Sequence, residues 1–143
     1  MDRALRQARL AAERGEVPIG AVIVGPDGVV LAEAGNQTQA DRDPTAHAEM
    51  LAIRAAASRL GASRLIDCDL HVTLEPCPMC AAAMAHARIA RLVFGAWDPR
   101  QGAAGSAFNL VSAAAMNHRV DAFGGVLSEE CGELLRRFFA DRR

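Results

Sequence analysis

Two short stretches of this chain carry residues that could do chemistry together: His47-Ala48-Glu49 and Pro76-Cys77-Pro78-Met79-Cys80. Zinc readily takes thiolate and imidazole ligands, and two cysteines three apart on the first turn of a helix can face one ion. His47, arriving from a second helix entrance, supplies a third ligand. Three protein ligands leave one tetrahedral position open, and a hydrolytic zinc needs that position for its water. Glu49 lies two residues from a ligand and is not needed as one. Its carboxylate can take a proton from that water and pass it to a leaving ammonia. With one His-Cys-Cys set present, the expectation is one Zn2+ per chain.

Other uses of these residue types must be weighed. Cys-x-x-Cys alone also occurs in redox pairs and in structural zinc half-sites. A redox site of the thioredoxin kind has no need of His-x-Glu. A structural zinc would require a fourth ligand from Cys68, Cys131, His71, His86 or His118, and none of these stands in a paired spacing. Cys68 and Cys131 read as buried apolar residues.

The elements around the two stretches must bring them together. Asp43-Pro44 and Glu75-Pro76 each place a proline at a helix entrance, where its missing N–H costs nothing. Helix N-termini favour negative charge, so they favour thiolates at Cys77 and Cys80. In a regular helix His47 and Glu49 would point to nearly opposite sides. They are therefore expected at the entrance itself, where the backbone is still turning.

Along the chain, Asp2 to Arg14 reads as an amphipathic helix closed by Gly15. Ile19 to Val24 and Val29 to Ala34 read as strands around the turn Gly25-Pro-Asp-Gly28. After a polar loop to Pro44, an alanine-rich helix runs to about Leu60, and Gly61 ends it. Asp69 to Leu74 is a strand, Cys77 to Arg88 a helix, and Arg91 to Gly95 a short buried strand. Trp97 to Ser106 is a glycine-rich loop, and Val120 to Phe123 is a fifth strand. Ser128 to Arg143 is a closing helix with Ser128 as N-cap. The order α-β-β-α-β-α-β-β-α predicts one mixed sheet with helices on its faces.

The bulk numbers fit a single domain over residues 1–143. The chain has 143 residues, 51% hydrophobic, well above what a disordered chain carries. There is no apolar run of about 18 residues to cross a membrane, and Met1 to Arg14 lacks the apolar core of a signal peptide. A cytoplasmic protein is expected. The net charge of −1 does not by itself point to nucleic acid, although all 16 cations are arginine and Arg136, Arg137, Arg142 and Arg143 crowd one end.

The order His-x-Glu, then Pro-Cys-x-x-Cys, is the signature of zinc deaminases acting on nucleobases. Over nearly its full length the chain resembles the bacterial tRNA-specific adenosine deaminases. The matching stretches are Val17-Pro-Ile-Gly-Ala-Val22, Asp43-Pro-Thr-Ala-His-Ala-Glu49, Val72-Thr-Leu-Glu-Pro-Cys-Pro-Met-Cys80, Ala103-Ala-Gly-Ser106 and Met116-Asn-His-Arg119. The resemblance implies a three-layer αβα sandwich with a central mixed five-stranded sheet. It also implies a homodimer that converts adenosine to inosine at the wobble position of a tRNA anticodon, with the anticodon stem-loop as partner. By the same resemblance Asn36 holds the flipped base and the Ala48 N–H contacts its ring. Asp98, Ser106, Asn117, Arg119, Phe138, Phe139 and Arg142 fall where the family touches the anticodon loop. Departures from the family lie in the polar loop Gln37 to Arg42, at Trp97, and at Arg100 in place of a usual lysine.

RNA loops are read by stacking unpaired bases on aromatic or arginine planes. With one Trp, five Phe and no Tyr, the candidates for stacking are Trp97, Phe138 and Phe139. For the two phenylalanines, a helix face closing the core competes with stacking. For the terminal arginines, a solvated helix end competes with phosphate contact. Two other functions remain open: a deaminase of free guanine or cytosine-type substrates, and a non-catalytic zinc-containing RNA-binding subunit, in which Glu49 would have no role.

Overall fold

Glycine decides the first packing step. In the computed structural model, which describes all 143 residues, α1 (Asp2–Glu13) lies across β1 (Gly20–Val24) and β2 (Val30–Gly35). A Cβ on Gly20 would run into the Ala4 carbonyl and the Ala8 nitrogen of α1. The absence of a side chain there lets the helix settle on the sheet. Gly20→Ala should therefore cost about 1–3 kcal/mol, the usual range for overpacking a filled site. A thermal melt should show it as a fall of several degrees in Tm. An unchanged Tm would mean that α1 does not bear on the sheet so closely.

The turn between β1 and β2 forms as the sequence leads one to expect. Gly28 takes the left-handed conformation at φ +82°. Asp27 Oδ1 accepts a hydrogen bond from the Val29 N–H at 3.1 Å. The strands pair antiparallel, with a bulge between Ile23 and Val24. β3 (Asp69–Leu74) joins the other side of β1, also antiparallel, and β4 (Arg91–Ala96) and β5 (Asp121–Phe123) follow in parallel. The spatial order is β2-β1-β3-β4-β5. This is the mixed five-stranded sheet expected.

Helices α2 (Ala48–Leu60) and α3 (Pro78–His86) pack together over one face, and α1 and α4 (Ser128–Ala140) over the other. The main core joins Ile23, Leu70, Leu92 and Phe94 of the sheet to Ala52 and Ala56 of α2 and Met84 of α3. Each of the larger side chains contributes roughly 1.5–3 kcal/mol by leaving water. A smaller cluster, Leu5, Ala96 and Cys131, lies under α1 and α4. No helix is long and apolar enough to cross a membrane.

Three helix ends differ from expectation. Ser128 is the first helical residue, not the cap. Leu127 caps α4 in a left-handed conformation at φ +53° without a side-chain bond. The reason is upstream: the Gly125 and Val126 N–H groups donate to Gly95 and Phe94 carbonyls, which holds the segment to β4 and delays the turn into the helix. α4 also stops at Ala140, short of Arg142 and Arg143, and α3 stops at His86 rather than Arg88.

Candidate metal centre

The chain runs α2, β3, α3 without crossing the sheet between them. α2 therefore ends where β3 begins, and α3 begins where β3 ends, so both helix N-termini lie at the C-terminal end of one strand. Ligand sites of α/β sheets gather at such ends. His47 caps α2 with extended backbone (φ −71°, ψ 151°), and Cys77 caps α3 in the same way (φ −71°, ψ 170°). The extended cap residue resolves the helical-wheel problem, because His47 precedes the helical turn in which Glu49 sits. The Asp43 carboxylate fixes the approach by accepting from the Thr45 N–H and hydroxyl at 2.8 and 2.7 Å.

His47 Nδ1 lies 3.6 Å from Cys77 Sγ and 3.5 Å from Cys80 Sγ. The three donor atoms all fall within 4.8 Å of one another. Tetrahedral zinc, with bonds of about 2.3 Å to sulfur and 2.0–2.1 Å to nitrogen, requires N···S separations near 3.6 Å. The donor set fits that ion in chemistry and in spacing. Hydrogen bonds from Cys80 and His47 hold the Cys77 thiol down at about 4 against the opposing effect of burial. The bond to Cys77, with burial, pushes Cys80 up. The bond to Cys77 likewise raises His47.

Glu49 is 4% exposed. Its Oε2 is buried without a hydrogen-bond partner in the chain. Burial pushes its carboxyl up to about 7. A buried polar atom without a partner is costly unless something else completes it. Here the unpartnered oxygen lies beside a three-donor metal set.

Asn36 follows β2 and is also buried. Its Oδ1 accepts the Ala48 N–H at 2.8 Å. Without a base in the cleft, the Ala48 N–H is thus engaged by Asn36. It also orients the Asn36 amide, because the atom facing an N–H donor must be oxygen. The NH2 group is then left for a ligand.

Over the metal set lies a cleft of about 540 Å³. Pro44, His47, Cys77, Pro78 and Met79 form its metal side, and Arg100, Gln101 and Phe108 form the facing wall. That wall belongs to the glycine-rich loop after β4. Asp98 Oδ1 accepts the Arg100 and Gln101 N–H groups at 3.0 and 3.3 Å, so its side chain folds the loop. The Ser106 hydroxyl and N–H both donate to Glu75.

Glu75 is a residue that motif reading did not single out. Burial would raise its carboxyl, but the hydrogen bonds from Ser106, Asp98 and Ala104 outweigh that and hold it below the usual range. Glu16 likewise gathers donors from a loop, the one that follows β2. Buried at 1% exposure, it accepts from Thr38 Oγ1 and from the Gln39 and Ala40 N–H groups. Both acids stand inside or beside the quoted stretches, but neither has a partner at a recognisable spacing.

The remaining expected contacts divide. Asn117 and Arg119 are exposed and do not line the cleft. Arg119 borders a separate hollow of about 370 Å³ beside β5. Phe138 is buried and closes the core, with Phe139 edge-on to it at 5.3 Å and the Arg142 guanidinium 3.5 Å above its ring. Phe139 is exposed, as is Trp97, which meets Phe94 edge-on at 4.7 Å. Arg136 pairs with Glu129 and Glu133, and Arg137 with Glu133, all within α4. Arg136, Phe139, Arg142 and Arg143 share a groove of about 700 Å³ with Arg100. Arg100 thus borders both the groove and the metal cleft.

Residues 1–96 match the cytidine and deoxycytidylate deaminase zinc-binding region. A tRNA-specific adenosine deaminase of Agrobacterium fabrum is 50% identical over all 143 residues, which cover 93% of that protein. That of Bacillus subtilis is 46% identical, again over the whole chain and 88% of its own length. A solved structure from work on A-to-I editing by tRNA:A34 deaminases at the wobble position superposes with a TM-score of 0.91 at 50% identity, covering 94% of this chain and 97% of the other. A cleft with a His-Cys-Cys donor set and a buried glutamate, on this fold and with relatives this similar, places the chain in the family of tRNA-specific adenosine deaminases.

Proposed function

We propose that this chain hydrolyses adenosine to inosine at the wobble position of a tRNA anticodon, releasing ammonia. The observation that carries the reading is the His47-Cys77-Cys80 set, with N···S separations of 3.6 and 3.5 Å, and the unpartnered Glu49 oxygen. One zinc per chain, held by these three side chains, supplies an activated water for attack on carbon 6 of the base. Glu49 moves the protons: it takes one as water adds and delivers it as the bond from carbon 6 to the amino nitrogen breaks. A carboxyl near 7 can both accept and donate at neutral pH. The Asn36 NH2 orients the base, and the cleft wall excludes bulk water.

An anticodon loop already presents its bases unpaired, so extrusion costs little there and much more in a duplex. The working unit is a homodimer, as the family resemblance implies. Incubation with the anticodon stem-loop of an arginine tRNA, cytidine and guanine in parallel, followed by mass analysis, tests the substrate. Inosine in the stem-loop alone is expected. Rapid deamination of free guanine or cytidine, with an untouched stem-loop, would overturn the reading.

The ion pairs inside α4 sharpen the expected RNA surface. Arg136 and Arg137 already have acidic partners, whereas no carboxylate pairs with Arg100, Arg142 or Arg143. Each arginine that meets a phosphate adds about 0.7 to the salt slope of single-strand binding. Replacing Arg100, Arg142 and Arg143 by alanine should make the slope shallower by up to about 2, with zinc content unchanged. Replacing Arg136 and Arg137 should change it little. The reverse pattern would move the phosphate contacts from Arg100, Arg142 and Arg143 to the paired arginines of α4.

A further inference from the structure

We propose that Glu75 is a positioning residue for substrate binding: its buried carboxylate sets the facing wall of the cleft against the metal side. Glu75 directly follows β3, two residues before Cys77, and its side chain is 1% exposed. Its Oε1 accepts the Ala104 and Ser106 N–H groups at 3.1 and 3.0 Å, and its Oε2 accepts the Asp98 N–H at 2.9 Å and the Ser106 hydroxyl. All four donors come from the stretch 98–106, the stretch that carries Arg100 and Gln101 into the cleft. The loop is wound on the carboxylate so closely that a Cβ on Gly102 would overlap it. The backbone ties the same two parts together, through Glu75 N–H to the Ala96 carbonyl and Ala103 N–H to the Pro76 carbonyl, each at 2.8 Å.

A buried carboxylate with no cation beside it is tolerated when its lone pairs are filled by donors. A carboxylate offers about four such sites, and four donors occupy them here. Glutamine has the same shape but cannot substitute. At the Oε1 position its NH2 would face the Ala104 and Ser106 N–H groups; at the Oε2 position the Ser106 hydroxyl can turn to accept, but the Asp98 N–H still faces it, so either way facing donors repel. The loop must then shift, carrying Arg100 and Gln101 away from the metal side while His47, Cys77, Cys80 and Glu49 keep their places.

The test is steady-state kinetics of Glu75→Gln on the anticodon stem-loop, with zinc content measured alongside. This rests on the stem-loop being the substrate, so wild-type turnover of the same RNA is measured first; its absence would count against the functional reading and not against Glu75. The expected result is a KM raised at least about tenfold by the displaced wall, with kcat within about threefold and zinc unchanged. Ser106→Ala removes one donor and should raise KM less, and it should add nothing in the Glu75→Gln background, because both act through one contact. If Glu75→Gln does not fold, Ser106→Ala and Gly102→Ala carry the test, both being expected to raise KM with kcat held. An unmoved KM, or a fall in Tm and kcat with KM unmoved, would reduce Glu75 to a structural acid. A further KM rise on adding Ser106→Ala to Glu75→Gln would also overturn the proposal, by making Ser106 a direct RNA contact.

Discussion

Glu49→Ala is expected to leave the protein folded and zinc-loaded while turnover falls by ~10²–10⁴, the usual effect of a positioned acid and base. The truncation removes a carboxyl whose Oε2 makes no bond within the chain. It leaves all three donor atoms of the metal set in place. Stability should rise or hold, because an unpaired buried carboxyl is a cost to the fold. Two measurements on one preparation decide the matter: metal content, and inosine formed under single-turnover conditions. Near-normal turnover in a metal-loaded variant would mean that another group carries the protons.

Cys80→Ser should have an effect as large on turnover, by a different route. Cys80 is fully buried on the first turn of α3, and its sulfur is a donor to the ion. A serine hydroxyl is a harder and less acidic donor than a thiolate and a poor substitute at zinc. Metal analysis should find close to one equivalent of zinc in the wild type and most of it lost in Cys80→Ser or Cys77→Ser, with activity lost in proportion. Full retention of zinc in both variants would sink the ligand assignment. The two kinds of variant separate the roles: Glu49→Ala loses activity while keeping its zinc, and the cysteine variants lose activity because they lose the zinc.

What the sequence disclosed depended on whether the physics was local. The turn at Gly25 to Gly28 and the helix stop at Gly61 are set by single residues with few conformations open to them, and both stand where they were expected. The argument that His47 and Glu49 cannot share a regular helix was also local, and the extended cap at His47 answers it. The i,i+4 pair Glu133–Arg137 is equally readable, and it sets Arg136 and Arg137 apart from Arg142 and Arg143 in what the sequence presents as one arginine-rich end. Ser128 has the chemistry of a cap, but hydrogen bonds from Gly125 and Val126 to β4 decided where the helix begins. Glu75 and Glu16 could not be read at all. A carboxylate that accepts backbone N–H groups from a distant loop leaves no spacing pattern, since every residue except proline offers the same donor.

The ligands stand at the ends of helices that the core already holds. α2 and α3 bury Ala48, Ala52, Ala56, Cys80, Ala81 and Met84 in the main cluster, and the carbonyls of His47 and Cys77 accept from the Leu51 and Ala81 N–H groups as the first bonds of their helices. In a zinc finger the ion supplies most of the folding free energy, and the chain is unfolded until it arrives. Here burial of the helix faces supplies it, and the ion enters a place prepared by the sheet. Folding and metal loading are therefore expected to be separate events, so that a chain newly made in a zinc-poor cell would fold first and acquire its metal later.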